Sequence, residues 1–284
     1  MNQTDYRMVF IGGMHRSGTT LLADLIASSP RASGFSHELS PMGEGQHLQD
    51  VFPTGRDYGG PVIWGLDPRA HLTENHLGED HPARLWDAWK PHWDMSCELL
   101  VEKSPINLTK FRYLQAAFPG ARMVAITRHP ISQAIAVKKW SDRASERSGW
   151  DLDRPVRSWL SAHGMFAADQ RSIDHLLVLR YEDLILDPGP AVAQLERFLE
   201  IEVDPRAVAG IDPSALSKYE EIWSGATTMP VASRDQGSPD LPSTGRAARS
   251  KAKRRATLRW SRSFRRFGYR ATDLRHARPW KQTA

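Results

Sequence analysis

Residues 8–20, Met-Val-Phe-Ile-Gly-Gly-Met-His-Arg-Ser-Gly-Thr-Thr, constrain the fold more than any other stretch. A short apolar run breaks into a glycine-bearing loop and then into the amphipathic segment 21–28, which is the order strand, loop, helix. Gly13 and Gly18 have four residues between them, the G-x-x-x-x-G spacing of a loop whose backbone N–H groups and following helix N-terminus cradle an anion. In the triphosphate-binding version a lysine follows the second glycine and meets the β- and γ-phosphates. Here Thr19 holds that position, so an anion of lower charge is expected, met by Arg16, Ser17, Thr19 and Thr20. The plainer reading of the same residues is a glycine-rich turn.

Further apolar runs repeat the pattern. Together with Met8–Ile11, the segments Leu99–Val101, Arg122–Thr127 and Leu176–Leu179 read as buried parallel strands. Helices are expected over Leu108–Phe118, stopped by Pro119-Gly120, and over Ile131–Trp140, opened by Pro130. Two more are expected over Arg157–Ile173 and Ala191–Leu199. The alternation predicts an α/β fold: a P-loop-like doubly wound parallel sheet, helices on both faces, and ligands at the carboxyl ends of the strands. The segment 39–98 breaks the rhythm. It is rich in Gly, Pro and His and carries Trp64, Trp86, Trp89 and Trp93, so it reads as a long substrate-side insertion with a helix from Ala83 to Asp94. Its rings could stack on a sugar or a phenol, or could build a local core.

The net charge of +5 is unevenly divided. From Arg246 to Ala284 there are 14 Lys or Arg and one acid, Asp273, while the rest of the chain is net acidic. The expected organisation is an α/β domain over 1–224, a Ser-, Pro-, Thr- and Gly-rich linker or loop over 225–245, and a basic tail over 246–284. With Leu258, Trp260, Phe264, Phe267 and Tyr269 among its arginines, the tail could form an amphipathic helix against an anionic membrane, a glycan or a partner protein. It could also meet nucleic acid without sequence preference, or dock its rings back on the domain. The single cysteine, Cys97, excludes an internal disulfide and a cysteine-rich metal site. With no signal-peptide core after Met1 and no apolar run of about 18 residues, a cytoplasmic protein is expected, at most peripheral to a membrane through its tail.

Two more segments bring chemistry to the same sheet edge. In Met123-Val-Ala-Ile-Thr-Arg-His-Pro130 a strand delivers Arg128 just before a helix, and a guanidinium suits a phosphate dianion, although it could also cap a neighbouring helix. In Leu179-Arg-Tyr-Glu-Asp-Leu184, followed by Asp187-Pro188, a strand ends at Tyr181, with Glu182 and Asp183 as expected caps. Together with Arg16-Ser-Gly-Thr-Thr20, in this order over residues 8–188, these segments resemble the sulfotransferases that use 3′-phosphoadenosine 5′-phosphosulfate (PAPS). The pattern is most similar to the protein-tyrosine sulfotransferase-like and bacterial glycan sulfotransferase branches. The resemblance implies that Arg16, Ser17, Gly18, Thr19 and Thr20 hold the 5′-phosphosulfate, that Arg128 and Tyr181 hold the 3′-phosphoadenosine part, and that no metal is required. The family usually has a serine eight residues after the arginine, where this chain has Ala136. Ser132, one helical turn earlier, is the substitute, with Lys138 and Lys139 as alternatives. Lys218 resembles a late nucleotide-contacting lysine, or is an ordinary surface lysine.

Sulfuryl transfer calls for a base on the acceptor hydroxyl and a cation near the departing phosphate. Lys103, in Glu102-Lys-Ser-Pro105 after a strand, is the implied cation together with Arg16. Cytosolic small-molecule sulfotransferases place a histidine base two residues after such a lysine, where this chain has Pro105. Protein-tyrosine sulfotransferases instead share a Lys-x-Pro element and a glutamate beyond the loop arginine. Glu38, 22 residues after Arg16, is the implied base, with His37 and His47 as rivals and an ion pair to Arg16 or Arg31 as the structural alternative. A hydroxyl on a carbohydrate or glycoconjugate is the expected acceptor because of the aromatic insertion, with a phenol or a peptidyl tyrosine as alternatives. Two other classes stay open. A nucleotide kinase or triphosphatase would share loop and sheet, and a non-catalytic protein that binds anionic surfaces would tolerate loss of Glu38 and Lys103.

Overall fold

The computed structural model describes residues 6–38, 40–140, 152–224 and 258–278. Strands β1 (Arg7–Gly13), β2 (Ala32–Ser33), β3 (Leu99–Lys103), β4 (Arg122–Thr127) and β5 (Leu176–Arg180) form one parallel sheet in the order β2-β3-β1-β4-β5. The longer helices are α1 (Thr19–Ala27), α2 (His81–Trp89), α3 (Phe111–Ala117), α4 (Pro130–Trp140), α5 (Asp153–Asp169), α6 (Tyr181–Leu186), α7 (Pro188–Leu199), α8 (Pro205–Ala209) and α9 (Ser217–Ser224). Strand side chains alternate between two cores. Val9, Ile11, Val124 and Ile126 meet α1, α6 and α7 through Leu22, Leu25, Leu184 and Leu195. Met8, Phe10, Met123 and Ala125 meet α3, α4 and α5 through Phe111, Ile131, Trp159 and Phe166. The sheet is therefore doubly wound, with helices on both faces.

Register decides where the chemistry gathers. Ile11 lies opposite Lys103, Gly13 opposite Ile126, and Thr127 opposite Arg180, so the loop after β1, Lys103, Arg128 and Tyr181 share one sheet edge. The chain leaves β1 toward the β2 side and leaves β4 toward β5. The crevice at which connections diverge thus opens between β1 and β4.

Some boundaries differ from expectation. The helix expected over 108–118 is split into a tight turn, Pro105–Thr109, and α3. A Cβ on Gly12 would lie 2.4 Å from the Leu108 nitrogen, so this turn presses directly on β1 and is shaped by that contact. The helix expected over 83–94 begins at His81, with Pro82 in its first turn, and passes into the turn Lys90–His92. The helix expected from Arg157 begins at Asp153 and ends at Asp169.

The insertion does not present an open aromatic wall. Trp64, Trp86, Trp89 and Trp93 are all buried. Trp89 Nε1 donates to the Gly45 carbonyl and Trp93 Nε1 to that of Val101, both at 3.0 Å, and Trp93 stacks on Phe35 with ring centroids 4.8 Å apart. A segment built mainly of short turns has little other apolar bulk to hold it on the sheet, and the indoles supply it. The expected support for a sugar acceptor is core.

The tail is corrected for the same reason. Trp260, Phe264, Phe267, Tyr269 and Leu274 are buried in the core that contains Phe10. Arg180 Nη2 donates to the carbonyls of Phe267 (2.9 Å) and Arg278 (2.6 Å), and its guanidinium lies 4.5 Å from the Tyr269 ring centre. The aromatic side of residues 258–278 is therefore turned into its own domain, not toward a membrane, glycan or partner. The expected linker, 225–245, lies outside the described residues. Among the described residues no helix is long and apolar enough to cross a membrane.

Candidate active site

The loop between β1 and α1 is held in an unusual backbone conformation. Arg16 (φ 66°) and Gly18 (φ 97°) are left-handed, and the Ser17 N–H donates to the Met14 carbonyl at 3.0 Å. Gly18 is required twice, since a Cβ there would also lie 2.5 Å from Tyr181 Cδ2. No side chain caps α1, so its first N–H groups stay directed into the loop. The Ser17 hydroxyl is buried without a hydrogen-bond partner among the described residues, Thr19 is buried beside it, and Arg16 is exposed at the rim.

Arg128 closes the other side. Its Nη1 donates to the Arg16 carbonyl at 2.8 Å, and its guanidinium is sandwiched between Tyr181 (4.2 Å) and Tyr219 (4.3 Å). Arg128 is only 3% exposed, yet among the described residues its Nε and Nη2 have no acceptor, and neither has the buried Ser132 hydroxyl on α4. A buried cation with unused donors is costly, so these atoms mark a place for an anion that brings its own acceptors. Sequence reasoning singled out Lys218 here and missed Tyr219. Lys218 is exposed, its amine 5.2 Å from the centre of the Tyr219 ring, and the ring itself reaches Arg128. Glu182 departs from its expected capping role, because its carboxylate accepts the His129 N–H at 2.8 Å.

Lys103 lies at the carboxyl end of β3, only 3% exposed. Its amine donates to the Met42 carbonyl at 2.5 Å and stands 3.5 Å from Glu44 Oε1. Burial lowers its pKa, opposed by the Glu44 and Glu102 carboxylates. Burial, with the charges of Lys103 and His47, pushes His15 in the phosphate loop down to about 3. Lys103, Glu44, His47 and His15 therefore form one cluster beside that loop. Glu38 does not join it by any contact. It is exposed, and its carboxylate has no hydrogen bond or ion pair among the described residues. His37 faces Asp24 at 3.6 Å instead.

A model of the Sulfotransferase family matches residues 8–205. The chain belongs to the sulfotransferase family. Protein-tyrosine sulfotransferase 1 of Danio rerio is 26% identical over 208 residues, covering 69% of this chain and 54% of that protein. Protein-tyrosine sulfotransferase A of Caenorhabditis elegans is 22% identical over 205 residues, 70% of this chain and 51% of that protein. The chain thus spans about half the length of the curated relatives it matches. A sulfotransferase structure from Mycobacterium tuberculosis superposes with a TM-score of 0.46 at 18% identity, covering 78% of this chain and 77% of that one.

Behind the site, two fully buried histidines make the stability of the fold depend on acid pH. The neutral His129 ring accepts the Ile131 N–H at Nδ1 (3.1 Å) and faces the Arg270 carbonyl with Nε2 (2.9 Å). His163 stacks on Trp159 at 3.6 Å and bridges Thr127 Oγ1 and the Trp159 carbonyl. Burial pushes their pKa values down to about 4 and about 3, from an ordinary 6.5. Between those limits the unfolded chain binds more protons than the folded one, so their effect is to make stability fall as pH drops from 6.5 toward 4. In urea titrations the midpoint should fall over this window, and His163→Gln should flatten the slope. An unchanged slope would show that His163 is not held neutral.

Proposed function

We propose that this chain transfers a sulfuryl group from PAPS to an acceptor hydroxyl. The observation that carries the reading is Arg128, a buried guanidinium whose Nε and Nη2 lack acceptors, with the unpaired Ser132 hydroxyl on the following helix. A phosphate dianion at the 3′ position would satisfy all three, which a nucleotide without that group would not. On the other side, the first N–H groups of α1, the Ser17, Thr19 and Thr20 hydroxyls and Arg16 would hold a 5′-phosphosulfate. Tyr181 joins the two halves, packed on Gly18 and on Arg128. PAPS supplies an activated sulfuryl group, and the loop's lack of a lysine favours it over a triphosphate.

Lys103 provides positive charge for the departing phosphate, and a glutamate takes the acceptor's proton. Because the four tryptophans are core, nothing in the insertion favours a carbohydrate. The relatives are named protein-tyrosine sulfotransferases, so a peptidyl tyrosine is the first acceptor to offer, ahead of a simple phenol and an oligosaccharide. With labelled PAPS in EDTA, label should move to the hydroxyl of a short tyrosyl peptide, and adenosine 3′,5′-bisphosphate should compete where ADP does not. Equal competition by ADP, or transfer that needs added Mg²⁺, would sink the reading.

A further inference from the structure

We propose that Glu44, not Glu38, takes the proton from the acceptor hydroxyl, with Lys103 exchanging its contact to Glu44 for the leaving phosphate. The inference rests on the sulfuryl-transfer reading and names the base within it. The resemblance to protein-tyrosine sulfotransferases nominates Glu38, but the fold leaves that carboxylate exposed and without a hydrogen bond or ion pair among the described residues. Glu44 is 6% exposed, and its Oε1 faces the Lys103 amine at 3.5 Å, within reach of an ion pair. Its Oε2 accepts from Gln46 Nε2 and lies 3.7 Å from His47 Nε2.

The backbone around Glu44 is fastened as a base needs to be. Met42 (φ 60°) and Gly43 (φ 61°) are consecutive left-handed residues, and Ser40 Oγ donates to the Glu44 carbonyl at 2.6 Å. Left-handed strain at a non-glycine such as Met42 persists only where surrounding contacts enforce it. Those contacts come from the end of β3 and the residues after it: the Gly45 N–H donates to Glu102 Oε1 (3.0 Å) and the Gln46 N–H to Ser104 Oγ (2.9 Å). Gly45 cannot be larger, because a Cβ there would lie 2.6 Å from Glu102. Glu102 is no rival. Both its oxygens are committed, to Gly45, Ser104 and Asn107.

The step balances as follows. The acceptor's O–H bond breaks, its proton goes to Glu44 Oε1, and the acceptor oxygen bonds to sulfur. The bond from sulfur to the 5′-phosphate oxygen breaks, its electron pair stays on that oxygen, and the positive charge of the protonated Lys103 ammonium offsets the charge left there. As Lys103 turns from Glu44 to the departing phosphate, Oε1 is released from its ion pair and is open to the acceptor proton.

The test compares two routes in Glu44→Gln. Forward transfer from PAPS to a short tyrosyl peptide needs a base, whereas 4-nitrophenyl sulfate can return its sulfuryl group to adenosine 3′,5′-bisphosphate with no proton donated to 4-nitrophenolate. If Glu44 is the base, the forward rate falls about 100-fold or more, while the return rate, calorimetric affinity for the bisphosphate and melting temperature stay near wild type. Two variant results overturn the proposal: both routes kept, or both lost together, which would make Glu44 a structural partner of Lys103. A collapse in Glu38→Gln with Glu44→Gln spared overturns it too. Wild-type protein silent in both routes overturns the transfer reading itself, and the base assignment falls with it.

Discussion

Arg128→Met should abolish the preference for a 3′-phosphate and, at the same time, raise the melting temperature of the ligand-free protein. The two effects share one cause. In the ligand-free protein the guanidinium is buried between two tyrosines with two nitrogens unpaired, and an apolar side chain of similar length removes that penalty. With ligand, those nitrogens are the donors for the phosphate, and truncating one partner of a buried charge pair costs about 2–5 kcal/mol. Affinity for adenosine 3′,5′-bisphosphate should therefore fall on the order of 30-fold to several thousand-fold, with ADP little affected. Calorimetric titrations in EDTA and thermal scans with and without ligand read both signs. Equal losses for the bisphosphate and ADP would mean that Arg128 acts only by holding the Arg16 carbonyl. A lower melting temperature would mean that its contacts to Tyr181 and Tyr219 outweigh its unpaired donors.

What could be read from the chain alone follows from how local each signal is. The apolar runs at 8–11, 122–127 and 176–179 and the Gly13–Gly18 spacing report on neighbouring residues, and the sheet and loop formed where they indicated. Arg128 was legible because a strand end and a proline-opened helix fix its place. Tyr219 was not, since nothing in α9 announces that its ring reaches the end of β4. Glu44 depends on a pairing between 44–46 and 102–104 that chain distance does not encode, although glycines on both sides of it were a usable hint. The insertion's tryptophans look the same in sequence whether they line a cleft or fill a core. In the tail the aromatic repeat was visible, but the arginines around it left open whether that face met its own domain or an anionic partner. Trp260, Phe264 and Phe267 recur at the i, i+4, i+7 spacing of a packed face, and all three are buried.

That repeat carries the second large prediction: a chain ended after residue 257 should lose its cooperative fold. Trp260, Phe264, Phe267, Tyr269 and Leu274 are each no more than 7% exposed. At about 1.5–3 kcal/mol for each large apolar side chain, their burial is comparable with the roughly 5–15 kcal/mol of net stability a domain has. Truncation would also strip His129 and Arg180 of carbonyl partners, Arg270 for the first, Phe267 and Arg278 for the second. These losses fall directly behind the anion site, since His129 follows Arg128 and Arg180 precedes Tyr181. Phe264→Ala is the milder version, expected to cost about 3–5 kcal/mol in urea titrations and to lower bisphosphate affinity only as far as the fold loosens. Arg262→Ser and Leu258→Ser, both at exposed positions, should leave the melt unchanged, which separates a packed strap from a basic arm. A truncated chain that still melted cooperatively and bound the bisphosphate would show that the buried rings contribute nothing the remaining core does not already supply.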